Sequence, residues 1–147
     1  MFQIADMATA HLDAVYNIET RAFAIPWSKS ELRREITENK NAIYKVAIMD
    51  YGDVLGYAGM WHIVNEGQIT NIAVDVPHRN KGIASILLES LITHGHNKEM
   101  IGLTLEVRTG NTAAQALYKK YGFKPEGIRK RYYADTGEDA IIMWKYF

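Results

Sequence analysis

The chain of 147 residues contains no cysteine. Disulfides, thiolate metal sites and a cysteine acyl-enzyme are therefore excluded, and the composition suits a reducing compartment. No charge of one sign dominates, since Lys plus Arg and Asp plus Glu both number 17. A basic nucleic-acid module shows an excess, and here only Arg129-Lys130-Arg131 forms a short run, so no direct contact with nucleic acid is expected. No apolar run approaches the roughly 20 residues that span a bilayer, and the first residues, MFQIADMATAHLDA, have no apolar core of a signal peptide. A cytoplasmic, soluble protein is expected, working as a monomer without membrane or metal. His94 and His96 are two apart and share no helix face, and no H-E-x-x-H occurs. Neither G-x-x-x-x-G-K-[ST] nor G-x-G-x-x-G is present, so the common nucleotide loops are absent too.

The size and a 48% hydrophobic share fit a single domain, residues 1–147, with one substantial core. A short strand at Phe2 to Ile4 precedes a helix from Thr9, in which Leu12, Val15, Tyr16, Ala22 and Phe23 recur at helical spacing. Glu19 falls on that apolar stripe, which puts it either in a pocket or at the stripe's wet edge. Ala24-Ile25-Pro26 ends the helix. Ser28 and Glu31 then form a capping box, with Trp27 and Leu32 as its hydrophobic staple, and open a second helix reaching about Asn39. The resulting Pro-Trp elbow suits the wall of a substrate cleft.

Three antiparallel strands are expected next: Ile43 to Met49, Val54 to His62 and Gln68 to Val74, with turns at Asp50-Tyr51-Gly52-Asp53 and Asn65-Glu66-Gly67. Ile83, Ile86, Leu87, Ser90 and Leu91 mark a helix ending near His94-Gly95, and Ile101 to Val107 a strand after it, so these three make a parallel crossover. Asn111 caps a last helix, with Ala114, Leu117, Tyr118 and Tyr121 inward, and Gly122 ends it. Strands from about Phe123 to Tyr133 and from Asp139 to Tyr146 follow, split by Asp135-Thr136-Gly137. The fold class is α+β: a mixed, mostly antiparallel seven-stranded sheet with one parallel crossover and helices on both faces.

Between strand and helix lies Arg79-Asn80-Lys81-Gly82-Ile83-Ala84, two cations and a glycine at a helix N-terminus. First-turn amides have no internal acceptor and the helix dipole adds positive charge, which together make a phosphate-binding turn; an ordinary basic capping turn is the alternative. Glu106 stands in Leu103-Thr104-Leu105-Glu106-Val107, a carboxylate on an apolar strand. Burial raises a carboxylate's pKa into the range of a base, whereas a solvated face or a pair with Arg108 would make it structural. Tyr118, twelve residues on, offers a phenol that can move a proton or simply pack.

Arg79-x-x-Gly82-x-Ala84 resembles the R/Q-x-x-G-x-G/A signature of the GNAT N-acetyltransferases, and the element order matches that fold throughout. The chain further resembles the RimI-type ribosomal-protein-alanine N-acetyltransferases at four stretches. These are Glu19, Phe23 and Pro26-Trp27-Ser28; Leu105-Glu106-Val107-Arg108 with Asn111 and Ala114; Ala116-Leu117-Tyr118 with Gly122-Phe123; and Arg129-Lys130-Arg131-Tyr132-Tyr133 with Glu138-Asp139-Ala140 and Met143. The resemblance implies acetyl transfer from acetyl-coenzyme A (acetyl-CoA) to the α-amine of an N-terminal alanine on a small-subunit ribosomal protein. It implies Glu106 as proton acceptor and Tyr118 as proton donor. Coenzyme contacts fall to Ile72, Ala73 and Val74, to Arg79, Asn80, Lys81, Gly82, Ile83, Ala84 and Ser85, and to Asn111. Ala84 stands where many relatives carry a second glycine, a small change that leaves the turn intact. A cleft between the Pro26-Trp27 elbow and the Tyr132-Tyr133 loop, with Glu19, would admit a peptide terminus. Asp135, Glu138 and Asp139 would favour a basic tail, or be a solvated turn. Lysine or small-amine acetylation, and a silent acetyl-CoA-binding module, remain the alternative functions.

Overall fold

The computed structural model describes residues Met1–Phe147. Strands β1 (Phe2–Asp6), β2 (Ala42–Met49), β3 (Val54–Ile63), β4 (Glu66–Val74), β5 (Gly102–Arg108), β6 (Lys124–Arg129) and β7 (Ala140–Tyr146) form one sheet in the order β1-β2-β3-β4-β5-β7-β6. Only β4 and β5 run parallel. Helices α1 (Leu12–Ala22) and α2 (Lys29–Thr37) precede the meander, α3 (Ile83–Asn97) makes the parallel crossover, and α4 (Thr112–Lys120) links β5 to β6.

Strand alternation sends side chains to opposite faces, and each face meets its own helices. Leu87, Leu88 and Leu91 of α3 pack on Ala58, Met60, Leu103, Leu105, Val107 and Met143, with Leu117 and Tyr118 of α4 beside them. On the other face Leu12, Val15 and Ile18 of α1 and Leu32 of α2 cover Tyr44, Val46, Tyr57 and Ala73. The capping box forms as the sequence predicts: Ser28 Oγ accepts from Glu31 N at 3.1 Å and Ser28 N donates to Glu31 Oε1 at 3.0 Å. Trp27 and Leu32, the two residues of the expected staple, join the same apolar cluster.

Two expected boundaries shift. The hairpin between β3 and β4 turns at Val64 and Asn65, so Glu66 already pairs with Ile63. β6 ends at Arg129 rather than Tyr133, because Arg131 takes a left-handed φ of 51° and its amide donates to Asp139 Oδ1 at 2.8 Å instead of a strand partner. Residues 130–139 are consequently a loop.

The feature that positions the site is the brevity of the parallel pairing. β4 and β5 are in register only from Glu66–Gly102 to Gln68–Thr104. At Thr70 the register of β4 against β3 slips by one residue, since Met60 faces Ile69 while Gly59 faces Asn71. Such a bulge bends its strand and re-aims its side chains. Beyond it β4 leaves β5, and its backbone on that side has no strand partner.

Candidate active site

The gap between the diverging strands opens into connected cavities. One of about 490 Å³ is lined by Ile72, Ala73 and Val74 of β4, by the turn before α3, and by Asn111, Ala114, Leu117 and Tyr118 of the α4 region. A second, of about 740 Å³, shares Phe23, Ile72, Asn111 and Tyr118 with it and continues to Thr70, Asn71, Tyr132 and Tyr133. A third, of about 570 Å³, shares Thr70, Tyr132 and Tyr133 and holds Glu106, Trp27, Trp61, Arg129 and Trp144. The sheet is thus pierced where β4 and β5 part.

The turn into the first cavity is built as an anion site. Asn80 and Gly82 both adopt left-handed φ values, 63° and 80°. Gly82 is the N-cap of α3 and offers no side-chain cap, so the amides of Ile83, Ala84 and Ser85 are left for a ligand. A Cβ built on Gly82 meets nothing within 4 Å, so the glycine is needed for its φ and for the approach of a ligand, not for internal packing. Arg79 Nε donates to Val74 O at 3.0 Å, which pins the guanidinium to the end of β4. These groups fit a pyrophosphate. Arg79, Asn80, Gly82, Ile83, Ala84 and Ser85 line the cavity as the sequence predicts, whereas Lys81 is exposed and is not among its lining residues. Asn111 caps α4 by accepting from Ala114 N at 3.1 Å and lines the first two cavities.

Tyr118 lies where the first two cavities meet. Its ring packs on Phe123, centroids 5.9 Å apart, and no protein group hydrogen-bonds its hydroxyl. Burial, with the Tyr133 phenol nearby, pushes its pKa up to about 12, so it holds its proton at neutral pH. Glu106 points to the opposite face of β5. It does not pair with Arg108; Arg129 Nε lies 3.3 Å from its Oε2, and that oxygen is buried with no hydrogen bond. Tyr118, held neutral, and Glu106, paired with Arg129, therefore lie on opposite faces of the sheet beside the strand gap.

A family model described as Acetyltransferase (GNAT) family matches residues 12–123. The chain belongs to the GNAT acetyltransferase family. The ribosomal protein bS18-alanine N-acetyltransferase of Escherichia coli K12 is 37% identical over 146 residues, covering 97% of this chain and 96% of the relative. A Bacillus subtilis relative, given the same name provisionally, is 43% identical over 141 residues, covering 96% of this chain and 93% of its own. The crystal structure of the E. coli ribosomal-protein-S18-alanine N-acetyltransferase superposes with a TM-score of 0.90 at 35% identity, over 99% of this chain and 94% of that one. The expected fold class and the expected N-acetyltransferase class both hold.

In this GNAT enzyme the expected acceptor residues do not all reach the cleft. Trp27, Tyr132 and Tyr133 line the third cavity together. Glu19 fits neither expectation for it, being only 2% exposed and lining none of the three cavities. Its Oε2 accepts from Trp27 N at 3.0 Å, and its Oε1 accepts from the Tyr57 hydroxyl and from Asn71 Nδ2 at 3.3 Å. Removing that carboxylate would leave buried donors unsatisfied, at about 1–3 kcal/mol each.

Asp135 and Glu138 line the second cavity, and all three loop acids are also engaged within the protein. Asp135 grips Arg108 with two hydrogen bonds of 2.9 Å, which hold its carboxyl below the usual range. Glu138 accepts from Gly110 N at 3.1 Å and from Thr136 Oγ1 at 2.9 Å, and Asp139 takes the Arg131 amide. The Arg108 guanidinium in turn lies 4.0 Å from the centre of the Tyr133 ring. The acids brace the loop that carries Tyr132 and Tyr133. Sequence reading did not assign Phe23 and His78 to the first cavity, nor Trp61, Arg129 and Trp144 to the third. Alternation along the third strand could have put Trp61 on the face of Tyr57, and Phe23 and Arg129 lie in the family-like stretches; for His78 and Trp144 no local signal exists.

Proposed function

We propose that this GNAT enzyme moves an acetyl group from acetyl-CoA to the α-amine of an N-terminal alanine, on a small-subunit ribosomal protein as in the named relatives. The observation that carries the reading is the placement of Glu106 and Tyr118 on opposite sides of the gap between β4 and β5. On this reading Ile83, Ala84, Ser85 and Arg79 hold the pyrophosphate, Asn111 contacts the coenzyme, and the unpaired backbone of Ile72, Ala73 and Val74 holds the pantetheine arm. The coenzyme supplies an acetyl group activated as a thioester.

The acceptor terminus enters from the side of Trp27, Tyr132 and Glu106. The ammonium first releases one proton to water; Glu106 then takes a second from the attacking nitrogen as its lone pair forms the bond to the acetyl carbon and the carbon–sulfur bond breaks. Tyr118 gives its proton to the leaving sulfur. No cysteine is available for an acyl-enzyme, which favours direct transfer. The enzyme then works as a cytoplasmic monomer on a protein made in the same compartment.

The test is mass spectrometry of paired peptides incubated with enzyme and acetyl-CoA. One peptide begins with free alanine followed by a basic sequence; its twin has a blocked terminus and internal lysines. One acetyl gained by the free-terminus peptide alone is the expected result. Modification of lysine in both would replace this reading with side-chain acetylation. No product while coenzyme still binds would leave a silent binding module.

A further inference from the structure

Beneath the acceptor cleft runs a polar network that the proposed chemistry does not use. Glu35 of α2, half-buried, accepts from Trp61 Nε1 at 2.5 Å, from the Tyr44 hydroxyl at 3.0 Å and from Asn39 Nδ2 at 2.8 Å. The Tyr44 hydroxyl also lies 3.5 Å from Thr70 Oγ1, and Thr70 donates to Asn71 Oδ1 at 2.8 Å. Asn71 in turn reaches Glu19, which holds the Trp27 amide. The chain of bonds thus connects Trp61 to Trp27, the two tryptophans whose rings stand 6.4 Å apart at the wall of the cleft. It passes through Thr70, the residue at which β4 bends away from β5.

The network has room because β3 lacks a side chain at one point. A Cβ on Gly59 would come within 2.3 Å of the Tyr44 ring and 2.7 Å of Asn71 Oδ1. Burial pushes the Tyr44 and Tyr57 phenols well above their ordinary range, so both remain donors. Nothing in this arrangement touches the coenzyme cavity's phosphate turn. Trp61 could stand in many rotamers on the sheet face; a carboxylate accepting its indole N–H selects one.

We propose that Glu35 is a positioning residue for the acceptor, holding Trp61 as one wall of the cleft and bracing the bend at Thr70 through Tyr44. The inference rests on the acceptor assignment made above. It makes acceptor affinity, and not coenzyme affinity, depend on a helix that contributes no reacting group.

The experiment measures both Michaelis constants of the full chain with acetyl-CoA and a peptide bearing a free N-terminal alanine and a basic sequence. Glu35→Gln should raise the peptide KM by roughly tenfold, the scale of one charge-assisted hydrogen bond, and leave the acetyl-CoA KM within about twofold. In a Trp61→Phe background, which has no indole N–H, Glu35→Gln should add less loss than it causes alone, the remainder coming through Tyr44. Equal rises in both constants, or full additivity of the two changes, would overturn the proposal. Should Glu35→Gln not fold, Tyr44→Phe decides, since it keeps the ring and removes one link: a selective rise in peptide KM supports the role and an unchanged value refutes it. A wild-type enzyme that turns over lysine but not the free terminus would sink the acceptor assignment itself, a result distinct from wild-type activity that Glu35→Gln leaves unaltered.

Discussion

Arg129 Nε lies 3.3 Å from Glu106 Oε2, yet that oxygen is buried without a hydrogen bond. The pair joins β6 to β5 across β7, so a charge on an edge strand faces a carboxylate at the mouth of the strand gap. Under the proposed function that oxygen has capacity left for a donor from the acceptor.

Glu106→Gln keeps the shape and removes the base. Turnover of a free-terminus peptide should fall by about 100-fold or more, the usual scale for losing a general base, while acetyl-CoA affinity measured by calorimetry stays the same. Unchanged turnover at neutral pH would remove Glu106 from the chemistry.

Tyr118→Phe should slow turnover by roughly tenfold to 100-fold with little change in stability, because the ring keeps its packing on Phe123 and the hydroxyl has no partner to lose. With a pKa near 12 the phenol is protonated through pH 9, so no alkaline loss of wild-type kcat below that pH should disappear in the variant. A rate equal to wild type would mean that water protonates the thiolate.

Buried tyrosines also set an alkaline limit on the fold. Tyr118 and Tyr133 are both pushed up to about 12 by burial, above the value near 10 of the unfolded chain. The folded state then holds protons that the unfolded state has lost, so this stabilisation is complete below pH 10 and fades as pH rises toward 12. Denaturant unfolding at pH 8, 10 and 11 should show stability falling over the upper interval. A flat profile there would contradict the burial of these phenols.

Gly82→Val strains a left-handed residue, at about 1–2 kcal/mol or more, and puts methyl groups where no protein atom lies within 4 Å. Acetyl-CoA binding should weaken at least tenfold beyond any loss of melting temperature. Gly52→Val, at a left-handed turn far from the cavities, is the control for strain alone. Equal coenzyme affinity in both variants would take the turn out of the site.

Asp135→Asn should raise the KM of neutral and basic peptides alike, because its carboxylate holds Arg108 against the Tyr133 ring. A rise confined to basic peptides, seen in steady-state kinetics across a charge series, would restore direct recognition of a basic tail.

Local chemistry made much of this protein legible in one dimension. Periodicity located the helices, Ser28 and Glu31 marked the start of α2, and Gly82 between a strand and a helix marked the start of α3, because each signal acts over one or two turns of chain. The family signature likewise lies in short runs around Gly82, Glu106 and Tyr118. What only tertiary structure decided is which side chains meet across long separations. Burial of Glu19 rather than exposure depends on Tyr57 and Asn71 reaching it from β3 and β4. The fate of the loop acids depends on Arg108, and the seat of Trp61 on Glu35. A charge or a tryptophan carries the same local pattern whether it faces water, a ligand or a partner; packing chooses among these, since only the folded sheet determines which polar groups lose their water together.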